Sequence, residues 1–314
     1  MSRIKLAVSS CLMGYQVRFD GGHKNNPFIS QTLSEHFDLV PLCPELAIGL
    51  GVPRQTLRLA GDVASPRVIG SKDPTLDVTE QLKGYGKQMA NSLTDICGYI
   101  VKKHSPSCGM ERVKVYVDGQ MPQRQGRGVY IQALMEEKPW LPVEEEGRLN
   151  DPLLRENFFE RVFVLHRWQK LMQKGLSADG LVKFHTSHKY LTMSRGQHEY
   201  RRLGRMVAKA GCEDIHTLGQ RYFSELMVVL KKRASRERHC DVLFHLIGYF
   251  KGQLSGEDKQ ELVKVIHNYR QGFLPLIVPV TLLRHHLRRL GNRYLEYQHY
   301  FAPYPDQLML RNQV

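Results

Sequence analysis

Short apolar runs alternate with helix-spaced polar stretches through the first half of the chain. "IKLAVSS" (4–10) is short, apolar and partly β-branched, which predicts a buried strand. "FDLVPLC" (37–43) predicts a second strand and "DICGYIVKK" (95–103) a third. "RVKVYVDG" (112–119) predicts a fourth, ending in an Asp-Gly turn. Between them, "DVTEQLKGYGKQMANSL" (77–93) places Val78, Leu82, Met89 and Leu93 at helical spacing, with Asp77 and Thr79 as candidate caps. Helical connections between short apolar strands require a mostly parallel sheet. The first half is therefore expected to be an α/β domain of doubly wound, Rossmann-like type.

The alternation stops at "KPWLPVEEEGRLNDP" (138–152), which holds three prolines and a Glu triplet. A boundary is expected near residue 147, dividing 1–147 from 148–314. Asp151 then reads as an N-cap and Pro152 as the first helical position. Beyond it the periodicity is almost entirely helical, so an all-α domain is expected to follow. No fixed-period repeat or low-complexity tract interrupts it.

Composition adds three constraints. Apolar residues make up 42% of the 314, enough for a real core. The longest apolar candidate, "GFLPLIVPVTLL" (272–283), is too short to span a bilayer and carries two prolines. A soluble, cytoplasmic protein without a membrane partner is expected, in which six cysteines point to metal binding or catalysis before disulfides. The formal charge of +14 is unevenly spread, with 18 Lys and Arg against 16 Asp and Glu in residues 1–150, and 27 against 15 in 151–314. A basic half joined to a near-neutral half predicts a module that meets a polyanion. Against that stands the plainer reading of a solvated basic surface.

Three cysteines occupy equivalent places. Cys11, Cys43 and Cys108 each lie at or just beyond the C-terminal end of a predicted strand. In a parallel sheet those ends share the ligand-binding edge, so three distant thiols are expected to converge. Gly14, Pro44 and Gly109 follow them and shape the backbone for close approach. Three thiolates leave an open position on a zinc ion, or one free iron on a [4Fe–4S] cluster; three separate packed thiols are the alternative. Cys97, Cys212 and Cys240 read as packing or surface thiols. Around the same edge stand Glu45, Arg18, Asp20, His23, Lys24, Lys103, His104, Ser105 and Ser107, with Arg54 and Arg58 shortly after. Glu45 is a candidate acid/base. Asp20, in an Asp-Gly pair, is also a turn-former.

"SSCLMGYQVRFDGGHK", "PLCPELAIGLGVPR" and "KKHSPSCG", in that order, resemble the signature segments of the thiouracil desulfidase family. Residues from about 150 onward resemble the YbgA-type C-terminal domain. Together they look like tRNA 4-thiouridine desulfidases whose helical domain is thought to bind tRNA. The resemblance implies a [4Fe–4S] cluster held by Cys11, Cys43 and Cys108, with one iron left to the sulfur of a thiolated pyrimidine. It implies replacement of that sulfur by water without net redox change, hydrolase- or lyase-like in outcome. Glu45 maps onto the acid/base carboxylate. Ser105 maps onto an implicated serine, ahead of Ser107.

In the basic half, "KFHTSHKYLTMSRGQHEYRRLGRM" (183–206) interleaves Lys189, Arg195, Arg201, Arg202 and Arg205 with His185, His188, Tyr190 and Tyr200. That mixture suits an RNA backbone with exposed bases. Asp20, Lys103, Ser107, Lys189, Arg201, Arg202 and Arg205 are the expected substrate or RNA contacts. Two other readings stay open: a desulfidase of free thiouracil or thionucleotides, and a non-catalytic iron–sulfur protein that binds RNA or senses oxidation.

Overall fold

The computed structural model describes residues 3–312. The chain divides into two compact units, Met1–Asn150 and Asp151–Val314. Unit 1 holds eight strands among the described residues: β1 (Ile4–Ser9), β2 (Phe37–Leu42), β3 (Leu57–Ala60), β4 (Arg67–Gly70), β5 (Ile96–Val101), β6 (Val113–Tyr116), β7 (Gln123–Gly126) and β8 (Val143–Glu145). Its helices are α1 (Ser34–His36), α2 (Pro44–Ala47), α3 (Thr79–Ser92) and α4 (Val129–Glu137).

The main sheet has the order β2-β1-β5-β8 and every pairing in it is parallel, as the α/β reading expects. β5 is buried at all six positions and β1 at five of six. An apolar run that does not alternate is what a strand covered on both faces requires. α3 and α4 pack closely at Gly86, where a Cβ would sit 2.6 Å from the Tyr130 carbonyl oxygen. Beside that crossing, the Tyr85 and Tyr130 rings stack at 5.4 Å.

Two expectations need correction. "RVKVYVDG" does form a strand, β6, with Gly119 in the left-handed turn that follows (φ 72°). It joins a second sheet, however, of order β4-β3-β6-β7, in which β3–β4 and β6–β7 are antiparallel. The fourth strand of the main sheet is β8, inside the Glu-rich stretch that reads as a break. Glu144, Glu145 and Glu146 are all buried. Each is satisfied: Glu144 by Arg148, Glu145 by the amides of Met110 and Glu111, and Glu146 by Lys102 and the amide of Lys103. Buried charge is tolerated where partners neutralise it, and those partners lie 34 or more residues away in sequence for Glu145 and Glu146.

Unit 2 is helical throughout: α5 (Pro152–Gln173), α6 (Ala178–Ser187), α7 (Lys189–Met193), α8 (Gln197–Val207), α9 (Ile215–Lys231), α10 (Arg236–Ile247), α11 (Gly256–Gln271), α12 (Ile277–Leu290) and α13 (Arg293–Glu296). Asp151 caps α5, accepting the amides of Leu153 and Leu154 behind Pro152. Ser177, Asp214, Ser235 and Ser255 cap α6, α9, α10 and α11 in the same way. At the core, Trp168 stacks on Phe223 at 4.7 Å. No helix among the described residues is long and apolar enough to cross a membrane.

Candidate functional site

The three cysteine-bearing segments leave three adjacent strands, β2, β1 and β5. Cys11 sits in the 3-10 turn Ser10–Met13 directly after β1. Gly14 ends that turn at φ 93°, a backbone state that favours glycine. The loop beyond returns over it, with the Lys24 amide donating to the Cys11 carbonyl at 2.8 Å. Cys43 follows β2 at the N-cap position of α2, where Pro44 starts the helix.

Cys108 lies in the loop after β5, and that loop is tied to its surroundings backbone by backbone. The Ser105 hydroxyl accepts the amides of Ser107 (3.2 Å) and Cys108 (3.1 Å). The amides of Val129 and Ile131, at the start of α4, donate to the carbonyls of Pro106 and Ser107. Helix-start amides have no partner within their own helix, so α4 spends them on the cysteine loop. Gly128 makes the approach possible, since a Cβ there would lie 2.5 Å from the Ser107 carbonyl.

All three cysteines line one cavity of about 390 Å³. Burial pushes the Cys11 thiol up to about 11 and raises Cys43 as well. Cys108 stands well above the thiol range, chiefly through burial, then through repulsion from Glu45, Cys43 and Cys11. Left to themselves these groups stay protonated, which is unsuited to a nucleophilic thiolate. A metal centre between them would hold them as thiolates, because coordination deprotonates a thiol. Among the described residues, no three His, Cys, Asp or Glu side chains close around a single ion. The thiols instead border a shared space lined also by Arg18, Lys24, Arg54 and Lys102. Three soft donors around a cavity with cationic walls fit a polynuclear sulfur-containing group better than one small ion.

Glu45 enters the same cavity. Its Oε2 accepts both Nε (3.0 Å) and Nη2 (2.7 Å) of Arg54. Arg54 is further held by the carbonyls of Val17 and Gly51. Glu45 Oε1 accepts the Ser107 hydroxyl at 2.8 Å. Ser105 lines the cavity while its hydroxyl accepts the two turn amides; the serine in contact with the carboxylate is Ser107, which is fully buried and does not line it. Lys103 lines the cavity while its amide binds Glu146. Asp20 is exposed and forms a turn, accepting the Gly22 amide. Sequence reasoning missed two members of this arrangement: Lys102, and the buried Glu146 that grips it. A Lys-Lys pair at a strand end is a faint signal for the first; the second had none.

The expected RNA contacts lie apart from one another in character. Lys189 projects among aromatic rings, 5.2 Å from the centre of Tyr190 and 5.7 Å from those of Tyr200 and Tyr294. Arg202 pairs with Glu225. Arg201 and Arg205 are exposed on α8. Arg195 is a core residue instead, bound to the buried Glu160 at 2.5 Å. His188 is likewise buried.

Comparison with known proteins adds two family matches, one in each half. Residues 6–146 match the 2-thiouracil desulfurase family, and residues 189–305 match a protein family of unknown function, DUF1722. Uncharacterized protein YbgA of Escherichia coli (strain K12) is 30% identical over 153 residues, 48% of this chain and 90% of that protein. Uncharacterized protein YbbK of Bacillus subtilis (strain 168) is 29% identical over 154 residues, 47% of this chain and 99% of that protein. Among solved structures, the [4Fe-4S]-dependent thiouracil desulfidase TudS is 28% identical with a TM-score of 0.37, covering 48% of this chain and 95% of that one. The chain thus joins a region that matches the 2-thiouracil desulfurase family to a following YbgA-like region that matches DUF1722.

Proposed function

We propose that the protein is a [4Fe–4S]-dependent desulfidase that converts 4-thiouridine in tRNA to uridine and releases hydrosulfide. The observation that carries this reading is the meeting of Cys11, Cys43, Cys108, Glu45 and Ser105 in one cavity, with the buried Ser107 hydroxyl donating to Glu45. The three thiols would hold the cluster. Bound there, it supplies a soft acceptor for thiocarbonyl sulfur at the iron that no cysteine ligates.

The remaining work falls to the chain's own groups. Water must add at the ring carbon as the carbon–sulfur bond breaks, so one oxygen enters, one sulfur leaves as hydrosulfide, and no electrons are gained or lost. Arg54 occupies Glu45 Oε2, which leaves Oε1 as the oxygen for proton transfer. The buried Ser107 hydroxyl, donating to Oε1, orients the carboxylate, and Ser105, which lines the cavity, is the serine placed to meet the water. Arg18, Lys24 and Lys102 favour the anion that departs.

The basic second half supports RNA as the carrier of the base, with Lys189, Arg201, Arg202 and Arg205 as its contacts. The test is an anaerobic assay on natural tRNA, read as loss of thiouridine and gain of hydrosulfide. Free 4-thiouracil and a chain ending at Asn150 run in parallel. Loss of tRNA turnover on truncation, with base turnover kept, is the expected result. Equal retention of both activities would remove the second half from substrate binding.

A further inference from the structure

Unit 2 holds a cavity of about 950 Å³, lined entirely by residues from Asp151 onward. None of Lys189, Arg201, Arg202 and Arg205 lines it, so it stands apart from the RNA contacts proposed above. Its floor is charged and buried: Glu160, Arg195 and Arg311 are 2%, 3% and 4% exposed. Its rim carries Arg233 and Arg236, both exposed, where the chain enters α10.

Charge alone does not assign the cavity, because four carboxylates line it beside four arginines. What decides is which groups are already engaged. Asp151 caps α5. Glu156 Oε1 accepts the Tyr304 hydroxyl at 2.9 Å and Arg311 Nε at 3.0 Å. Glu160 holds Arg195 at 2.5 Å. Glu237 accepts from the Ser235 hydroxyl. Every carboxylate therefore has a partner. Arg233 and Arg236 have none: among the described residues neither side chain forms an ion pair or a hydrogen bond. Gly272 gives Arg236 its room, since a Cβ there would lie 2.8 Å from Nη1. The start of α10 adds positive character to the rim. Ser235 takes the amides of Arg238 and His239, and those of Arg236 and Glu237 lie outside the helix's own bonding.

At the floor, Arg311 has one donor to spare. Its Nε is on Glu156 and its Nη1 donates to the Tyr300 carbonyl at 2.6 Å. Its Nη2 has no hydrogen-bond partner among the described residues. Glu160 Oε2 stands 3.9 Å from it, too far for a hydrogen bond. A buried donor without an acceptor is costly, and an acceptor atom on a bound molecule relieves it. Tyr269 and Leu276, both buried, give the wall an apolar face.

We propose that this cavity binds a nucleoside monophosphate, with the phosphate on Arg233, Arg236 and the first turn of α10 and the base toward Tyr269 and Arg311. Two free arginines and a helix start match a phosphate in charge and in geometry. A nucleobase offers a flat face to the wall and ring acceptors to the spare donor. A floor closed by core residues admits the end of a molecule, not a chain passing through. That chemistry is offered by a free nucleotide and by the 5′-phosphorylated end of an RNA.

Hydrogen exchange of the full chain, read by mass spectrometry over residues 233–240, tests it with uridine, inorganic phosphate and UMP as probes. UMP should slow exchange there at concentrations at least about tenfold below those the other two require. Arg233→Gln combined with Arg236→Gln, both at exposed positions, should weaken the UMP effect about tenfold or more. RNA trinucleotides with and without a 5′-phosphate separate the two sources. Protection by the 5′-phosphorylated form below the UMP concentration assigns the site to an RNA end; protection by UMP at equal or lower concentration assigns it to free nucleotides. No protection of this segment by any phosphorylated ligand overturns the proposal. So does inorganic phosphate acting as well as UMP, or protection that survives the double substitution. Neither arginine lines the thiol cavity, so hydrosulfide release from 4-thiouracil should be unchanged in the double variant. Absence of that release from the unsubstituted chain would sink the desulfidase reading and leave this site standing.

Discussion

The Ser107 hydroxyl lies 2.8 Å from Glu45 Oε1, joining segments 62 residues apart in the chain. The contact exists because β2 and β5 flank β1 in one parallel sheet, which brings the segments that follow them together. It binds the carboxylate loop to the Cys108 loop, and Arg54 fixes the other carboxylate oxygen. A carboxylate held from two sides keeps one oxygen aimed at its task.

Glu45→Gln should therefore lower turnover about 100-fold or more while iron and acid-labile sulfide per chain stay unchanged. Ser107→Ala should lower turnover about tenfold or more by the same route. Ser105→Ala acts differently. It frees the amides of Ser107 and Cys108, costs about 1 kcal/mol, and should show first as cluster loss on storage. Anaerobic single-turnover rates, read beside iron content, separate the three. Abolished turnover with a full cluster in Ser105→Ala would assign the catalytic role to that serine, which lines the cavity.

The six cysteines should sort into two groups. Serine at Cys11, Cys43 or Cys108 should each remove the iron–sulfur chromophore. Serine at Cys97, Cys212 or Cys240 should leave it intact, since none of these lines the cavity. Iron and sulfide analysis of anaerobically prepared protein decides it; a fourth cysteine required for the cluster would contradict the three-ligand assignment.

Gly128→Ala should be among the most damaging single-methyl additions in unit 1. Its φ of −63° suits alanine, so the whole cost is collision with the backbone of Ser107 and Cys108, at 2.5 Å and 2.6 Å. A loss of about 2–3 kcal/mol is expected, with reduced cluster loading. Gly84→Ala is the contrast: it lies exposed inside α3 with nothing near its Cβ, and should stabilise by about 1 kcal/mol. Thermal unfolding of both variants checks the pair.

The second unit should weaken in mild acid. Burial holds His185 down to about 4, His299 down to about 3 and His188 well below its ordinary value of 6.5. Below pH 6.5 the unfolded chain takes up protons that these folded histidines refuse, so stability present above 6.5 drains away as pH falls toward 4. The slope is about 1.4 kcal/mol per pH unit for each histidine. Chemical denaturation at pH 7.5, 6 and 5 should show steady loss, and His185→Asn should flatten the slope by one proton. A pH-independent midpoint would mean that these rings are protonated when folded.

Much of the architecture was legible because it repeats along the chain. The apolar runs of β1, β2 and β5 and the capping pair Asp151–Pro152 are local signals, and local chemistry is enough to place them. The rule that parallel strands share a ligand-binding edge then brings Cys11, Cys43 and Cys108 together from the sequence alone. It could not choose between Ser105 and Ser107. Both flank Pro106, and which hydroxyl turns toward Glu45 depends on how α4 pulls the loop. Nor could it see Glu144–Glu146 as a strand, because three carboxylates argue for solvent until their distant partners are known.

The amino-acid sequence by itself determined β1, β2 and β5 and the start of α5, which depend on neighbours within a few residues, and the uneven charge, which is a sum over each half. Tertiary structure alone decided that Arg54 and Ser107 share Glu45, that Glu146 grips Lys102, and that Arg58, Lys114 and Arg124 stand abreast on a second sheet. Those relations are set by strand order and register, and a pairing between segments far apart leaves no periodicity in either of them.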